Sequence, residues 1–175
     1  MAYLYQGPNY QAIQLRFNNP NYAMLVILPD EGQFDNVENE LNNEFINPII
    51  LDPNIINLGP HMVKIQMPIF SIEQSINFIS YLKKSGVSSM FNQAEANFSD
   101  LFADSMAEAH VSTYKQNSMI DVHPGGVSAA AASFTGVTLV ELVPHLKINR
   151  PFIFVLRNVT QNVNLFMGRL LDPTQ

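Results

Sequence analysis

The chain contains no cysteine, which excludes disulfides, thiolate zinc sites and a cysteine nucleophile and leaves its compartment undecided. Positive charge is scarce too: 9 lysines and arginines stand against 15 aspartates and glutamates, for a net charge of -6. With no basic run or stripe to follow a phosphate backbone, nucleic acid is not an expected partner. No apolar run approaches membrane-spanning length. The longest, residues 22–29, is closed by Pro-Asn before it and Asp-Glu-Gly after it, and reads as a buried strand. The opening Met-Ala-Tyr-Leu-Tyr-Gln-Gly-Pro has neither the basic start nor the apolar core of a secretion signal. His61, His110, His123 and His145 show no metal-ligand spacing, and Glu108 and His110 are offset by two, which no helix places on one face. No metal or cofactor is expected. No nucleophile elbow or other catalytic context is visible, so the chain is not read as an enzyme.

What is present suffices for a sizeable core: 175 residues, 47% of them hydrophobic, one domain by length. Residues 10–17 alternate, with Ile13, Leu15 and Phe17 opposite Ala12, Gln14 and Arg16, the period of a half-buried strand. Asn18-Asn19-Pro20-Asn21 turns it into residues 22–28, a strand covered on both faces, so an antiparallel hairpin is expected. Phe34, Val37, Leu41 and Phe45 recur at helical spacing and predict one amphipathic helix, with Asp35 and Glu38 near its positive end. Pro48, Pro53 and Pro60 then break the chain into a connector with at most a short helix around residues 54–58. Residues 61–70 alternate again, split by Pro68 into two shorter strands. Ile72, Ile76, Ile79 and Leu82 predict a second helix, with Lys83 and Lys84 at its end and Gly86 to close it. Residues 111–122 look extended, but Ser112, Gln116, Asn117 and Ser118 are scattered over both faces. A central strand of that kind needs polar partners or must be able to open. Residues 152–156 and 163–171 read as two more strands joined by a polar turn.

One stretch fits none of these patterns. Residues 124–140, Pro-Gly-Gly-Val-Ser-Ala-Ala-Ala-Ala-Ser-Phe-Thr-Gly-Val-Thr-Leu-Val, carry no charge, too little bulk for a buried helix and too few polar residues for a solvated loop. Small side chains suit a tightly packed strand, and glycines suit an exposed loop, so the composition allows both.

At residues 146–156, Leu-Lys-Ile-Asn-Arg-Pro-Phe-Ile-Phe-Val-Leu, the chain resembles the signature of the serpins, the serine protease inhibitor superfamily. Three further pieces stand in serpin order: Met-Phe-Asn-Gln-Ala-Glu-Ala-Asn-Phe-Ser at 90–99, the alanine run, and Leu-Phe-Met-Gly-Arg-Leu-Leu-Asp-Pro at 165–173. The resemblance covers essentially the whole chain. It implies an α+β, multi-sheet fold of which residues 1–175 are the C-terminal portion: a second-sheet hairpin, two or three helices, a main-sheet strand, the reactive loop and two C-terminal strands. The N-terminal half is then absent from this chain and is expected, if anywhere, as a separate polypeptide partner. Residues 111–122 would lack neighbouring strands and expose sheet edges.

By the same resemblance, residues 126–145 are the reactive-centre loop. Gly126 is the hinge, and Val127, Ser128, Ala129, Ala130, Ala131, Ala132 and Ser133 begin the arm that inserts into the main sheet after cleavage, where small uncharged side chains are required. Family spacing counted from Gly126 and from Asn149-Arg-Pro-Phe places the scissile bond between Val140 and Glu141. A small aliphatic residue there implies an elastase-like or chymotrypsin-like target protease. Pro124 and Gly125 stand where the family usually carries acids, and Gln116 where many members carry histidine. A non-inhibitory serpin of carrier, chaperone or storage type, and a truncated fragment without activity, remain the alternatives. Two sequons, Asn97-Phe-Ser and Asn158-Val-Thr, are glycosylation sites if the protein is secreted, and the resemblance favours an extracellular over a cytoplasmic location. In a chain so rich in asparagine, chance explains them as well.

Overall fold

The computed structural model describes residues 2–51, 63–101, 109–123 and 144–173. In chain order the strands are β1 (Ala2–Gln6), β2 (Tyr10–Arg16), β3 (Tyr22–Pro29), β4 (Lys64–Gln66), β5 (Phe70–Asn77), β6 (Lys115–Val122), β7 (His145–Lys147), β8 (Phe152–Asn158) and β9 (Val163–Leu170). The helices are α1 (Phe34–Glu40), α2 (Asn43–Leu51) and α3 (Ile79–Lys84). The chain divides into two compact units, Met1–Phe70 with His123–Gln175, and Ser71–Val122.

The first unit is built on a five-stranded antiparallel sheet in the order β1-β2-β3-β8-β9. The β2–β3 hairpin forms as its alternation predicts, pairing Tyr10 with Pro29 and Arg16 with Ala23. Its burial differs from the expectation of a one-sided strand: Ala12 and Gln14 are 0% and 4% exposed, as buried as Ile13 and Leu15. The reason is that both faces of the sheet are covered. Val37, Ile46 and Ile49 of the two helices close over Tyr10, Ala12, Leu25, Ile27, Ile153 and Val155. On the opposite face, Phe70 packs on Phe152 and Phe154 at ring separations of 5.7 and 5.5 Å. β1, which the sequence pattern did not mark, extends the sheet from Leu4↔Ile13 outward.

The single helix expected through Phe34, Val37, Leu41 and Phe45 is two. Leu41 leaves helical geometry with ψ 106, and the Asn42 side-chain oxygen accepts the Phe45 N–H at 2.8 Å, capping α2. The apolar spacing still reports the core: Val37 is buried, and Phe34, Leu41 and Phe45 pack against it. Pro48, expected as a breaker, lies inside α2. Burial of Ile46 and Ile49 contributes about 3–6 kcal/mol, which matches or exceeds the ~3 kcal/mol cost of an internal proline. The short helix expected near residues 54–58 falls outside the described residues. Pro68 does separate two strands, β4 and β5, and β4 pairs in parallel with β7.

In the second unit the predicted helix from Ile72 to Leu82 is overturned in its first half. Residues 70–77 form β5, and only Ile79–Lys84 is helical. A spacing of four is a multiple of the strand period as well as close to a helical turn, so Ile72 and Ile76 satisfied both readings. The Asn77 side chain accepts the Ile79 N–H at 3.1 Å and marks the change. At the other end Gly86, at φ 89, closes α3 as expected. Val87 N–H donates to the Leu82 carbonyl and Gly86 N–H to that of Lys83. β5 pairs with β6, so the expectation that residues 111–122 lack any neighbouring strand is also overturned, and for the same reason.

Candidate functional site

The candidate reactive bond Val140-Glu141, the hinge Gly126 and the arm Val127, Ser128, Ala129, Ala130, Ala131, Ala132 and Ser133 all lie in residues 124–143, outside the described residues. What is described are the two strands that flank them. β6 leads into the segment; its Lys115, Gln116, Asn117, Met119 and Asp121 are exposed, with Gln116 donating to the Ser118 hydroxyl at 3.3 Å. Scattered polar residues therefore cost this strand nothing here, since they are not in a core. Among the described residues β6 is paired on one side only, to β5. β7 leads out of the segment and is anchored from its first residues. Lys64 N–H donates to the Pro144 carbonyl and Ile148 N–H to the Gln66 carbonyl, both at 2.8 Å, and Leu146 and Ile148 are buried.

The motif that follows is held by three arginines. Arg150 Nε donates to the Pro29 carbonyl at 2.7 Å and its guanidinium lies 3.5 Å from Asp30, fixing the approach to β8 against the end of β3. Arg157, only 1% exposed, donates to Asn47 Oδ1 at 2.8 Å and to the Asn162 carbonyl at 3.3 Å. Its Nε and Nη1 have no hydrogen-bond partner among the described residues, and burial holds its pKa below the ordinary arginine value. Arg169 donates to both carboxylate oxygens of Glu38 at 2.6 and 2.7 Å, tying β9 to α1. Between the last two stands Gly168, whose position opposite Phe154 leaves no room for a Cβ: one would collide with the Phe154 ring.

Four comparisons with known proteins bear on these features. The family model described as "Serpin (serine protease inhibitor)" matches residues 1–173. The chain belongs to the serpin family. A "Serine protease inhibitor" of Cyanea capillata is 27% identical over 163 residues, 92% of this serpin chain and 42% of its own length. Human "Antithrombin-III" is 28% identical over 167 residues, 93% of this chain and 35% of its own. The native state of tengpin, a thermophilic serpin, superimposes with a TM-score of 0.72 at 23% identity, over 98% of this chain and 44% of tengpin. The α+β serpin fold is thus shared. The chain spans less than half the length of each of these relatives.

The two sequons are placed differently. Asn97 is exposed, its side-chain oxygen accepting the Ser99 N–H at 3.0 Å in a turn. Asn158 is 9% exposed and closes the β8–β9 turn: Oδ1 accepts the N–H groups of Thr160 and Gln161, and Nδ2 donates to Gln161 Oε1 at 3.1 Å. Sequence reasoning missed a third feature, an aromatic recess formed by Tyr5, Tyr10 and Phe45. The cluster of aromatic residues at the start of the chain was its only signal.

Proposed function

We propose that this chain carries the bait and the inserting arm of a serine protease inhibitor that acts as a suicide substrate. The observation that carries the reading is the uncharged, small-residue segment at 124–140, strung between an anchored strand, β7, and a strand with an unpaired edge among the described residues, β6. An extended segment adds to such an edge through main-chain hydrogen bonds, and alternate small side chains let it enter between packed layers. In strand form Val127, Ala129, Ala131, Ser133 and Thr135 share one face, so no charge is buried there.

In this reading the target serine attacks the carbonyl of Val140 and forms an acyl bond as the peptide nitrogen of Glu141 leaves. Residues 126–140 then insert beside β6 and carry the acyl-protease away from its deacylating geometry before water completes hydrolysis. Val140 fits a restricted apolar pocket, which makes the target elastase-like or chymotrypsin-like, and a trypsin-like pocket finds no basic residue. The extracellular assignment rests on the family resemblance, and in a secreted protein the exposed Asn97 is the sequon open to a glycan. Asn158 does not share that role, because its amide is committed within the β8–β9 turn.

The test is incubation of the chain with an elastase-like and with a chymotrypsin-like protease, read on a denaturing gel and by mass spectrometry. A covalent band at the summed mass, with the released peptide starting at Glu141, is the expected result. Cleavage without a stable adduct refutes the trap in this chain and returns it to a non-inhibitory serpin or an inactive truncated fragment. A first cut at any other bond refutes the register. Companion polypeptide in the untreated sample identifies the N-terminal half as a partner.

A further inference from the structure

The β1–β2 turn and the two helices enclose a recess of about 270 Å³ that the inhibitor reading does not use. Its wall is aromatic: the Tyr5 and Tyr10 rings lie 5.7 Å apart, and Tyr10 meets Phe45 at 4.9 Å. Val37 lines its buried side. Burial, a hydrogen bond with Tyr5 and the nearby charge of Glu40 all push the Tyr10 phenol above its ordinary pKa, so it stays neutral and its ring keeps an electron-rich face.

Two carboxylates, Glu40 and Glu44, stand at the exposed rim. Among the described residues neither has an ion-pair partner, and no lysine or arginine lines the recess. Glu40 is the last residue of α1, where the helix dipole disfavours a negative charge and no basic residue in the last turn offsets it.

We propose that this recess binds a small organic cation, an arylalkyl- or alkylammonium whose charge sits between Glu40 and Glu44 and whose apolar part lies on Tyr5, Tyr10 and Phe45. Aromatic faces and carboxylates attract the same sign of ligand, and an anion is repelled by both. The volume lies just under the usual range for drug-sized ligands, which suits one ring with a short stem and excludes a nucleotide or a folded peptide.

Three probes of matched shape test this on the full chain by titration, following tyrosine-ring and Val37 and Ile49 methyl resonances: 2-phenylethylammonium, 2-phenylethanol and phenylacetate. The ammonium is expected to saturate with a Kd below about 1 mM, the alcohol to bind about tenfold more weakly, and phenylacetate not to bind. In the Glu40→Gln/Glu44→Gln variant, whose changes lie on exposed positions, ammonium affinity falls about tenfold while the alcohol is unchanged. Tyr5→Leu weakens both. A lysine side chain presents the same ammonium, so Nα-acetyl-lysine methylamide forms a fourth arm, expected to bind more weakly than the arylalkylammonium. Equal or tighter binding there overturns a free amine as the occupant. Equal affinities for ammonium and alcohol, no saturable shift, or an unchanged double variant overturn the cation site itself.

Discussion

Replacing Gly168 by alanine tests whether the close approach of β8 and β9 is what fixes the Phe-Met-Gly-Arg motif. A Cβ at this position meets three atoms of the Phe154 ring, with Cε1 at 2.9 Å and Cε2 at 3.1 Å and Cζ nearer still. The first of these distances is shorter than a real Cβ contact tolerates, so the ring or the strand must move. The ring has little freedom. Phe154 is 2% exposed and lies against Phe70 at 5.5 Å and Phe152 at 6.5 Å, so swinging it displaces two further buried rings. Overpacking of this kind costs about 1–3 kcal/mol, which for a chain of this size lowers Tm by roughly 2–12 °C. The measurement is denaturant unfolding of Gly168→Ala, Phe154→Leu and the double variant. Phe154→Leu alone loses buried apolar contact, but it removes the ring that the new methyl strikes. The double variant is therefore expected to be more stable than the sum of the two single losses predicts, by about 0.5–3 kcal/mol. If Gly168→Ala unfolds within about 0.5 kcal/mol of the parent, or if the two losses simply add, the steric account of this glycine is wrong.

Tyr10 gives an alkaline signature. Its pKa is raised in the folded state, so the stability it contributes is complete below the unfolded value of about 10 and is lost as pH rises through the folded value, with a slope approaching ~1.4 kcal/mol per pH unit. Tyr10→Phe removes that slope, and parallel unfolding-versus-pH curves for variant and parent between about pH 9 and 11.5 exclude the assignment. At Arg157, Asn47→Ala strips the buried guanidinium of its 2.8 Å acceptor and is expected to cost about 1–3 kcal/mol, whereas Arg157→Met removes the charge together with its unmet donors and costs less. Thermal unfolding that ranks Arg157→Met below Asn47→Ala contradicts this ledger of partners. Within the proposed inhibitor reading, Ala131→Glu places a carboxylate on the inserting face, so protease cleavage continues and the covalent adduct disappears; an adduct of undiminished yield on the gel argues against insertion of that face.

Much of the first unit is legible from its residues because its strands differ in kind. Residues 22–29 are apolar throughout and are buried on both faces; the hairpin turn and the two C-terminal strands follow from turn residues and apolar composition. Other features were not legible, several of them for a local reason. Gln14 gave β2 the appearance of one wet face, because a lone polar residue cannot reveal that helices cover that side. Asn42 looked like an ordinary polar position in a helix, yet its side chain caps a new one. Ile72 and Ile76 fitted two periods at once. The candidate loop, proposed from composition and family resemblance, lies outside the described residues; the recess was not legible, since Tyr5, Tyr10 and Phe45 come together only through the β1–β2 pairing and the packing of α2.

The reassignment of residues 72–77 from helix to strand bears most on the proposed mechanism. With β5 on one edge of β6, a strand added at β6 has a single place to go, the opposite edge. A two-stranded ribbon is marginal alone and gains from each neighbour, and on β6 the Met119 side chain is left 62% exposed. The segment that is proposed to insert begins directly after β6, so it must reverse within a few residues to lie beside the strand it leaves. Pro124, Gly125 and Gly126 suit a reversal: proline fixes φ, and the glycines accept left-handed backbone that other residues avoid. The residues that depart from the family's usual acidic hinge are then turn formers at the point where a turn is needed. Under the proposed insertion, the donor that Pro124 lacks would fall within the reversal, where no ladder partner is required, so its effect on insertion would be smaller than its place beside the hinge suggests.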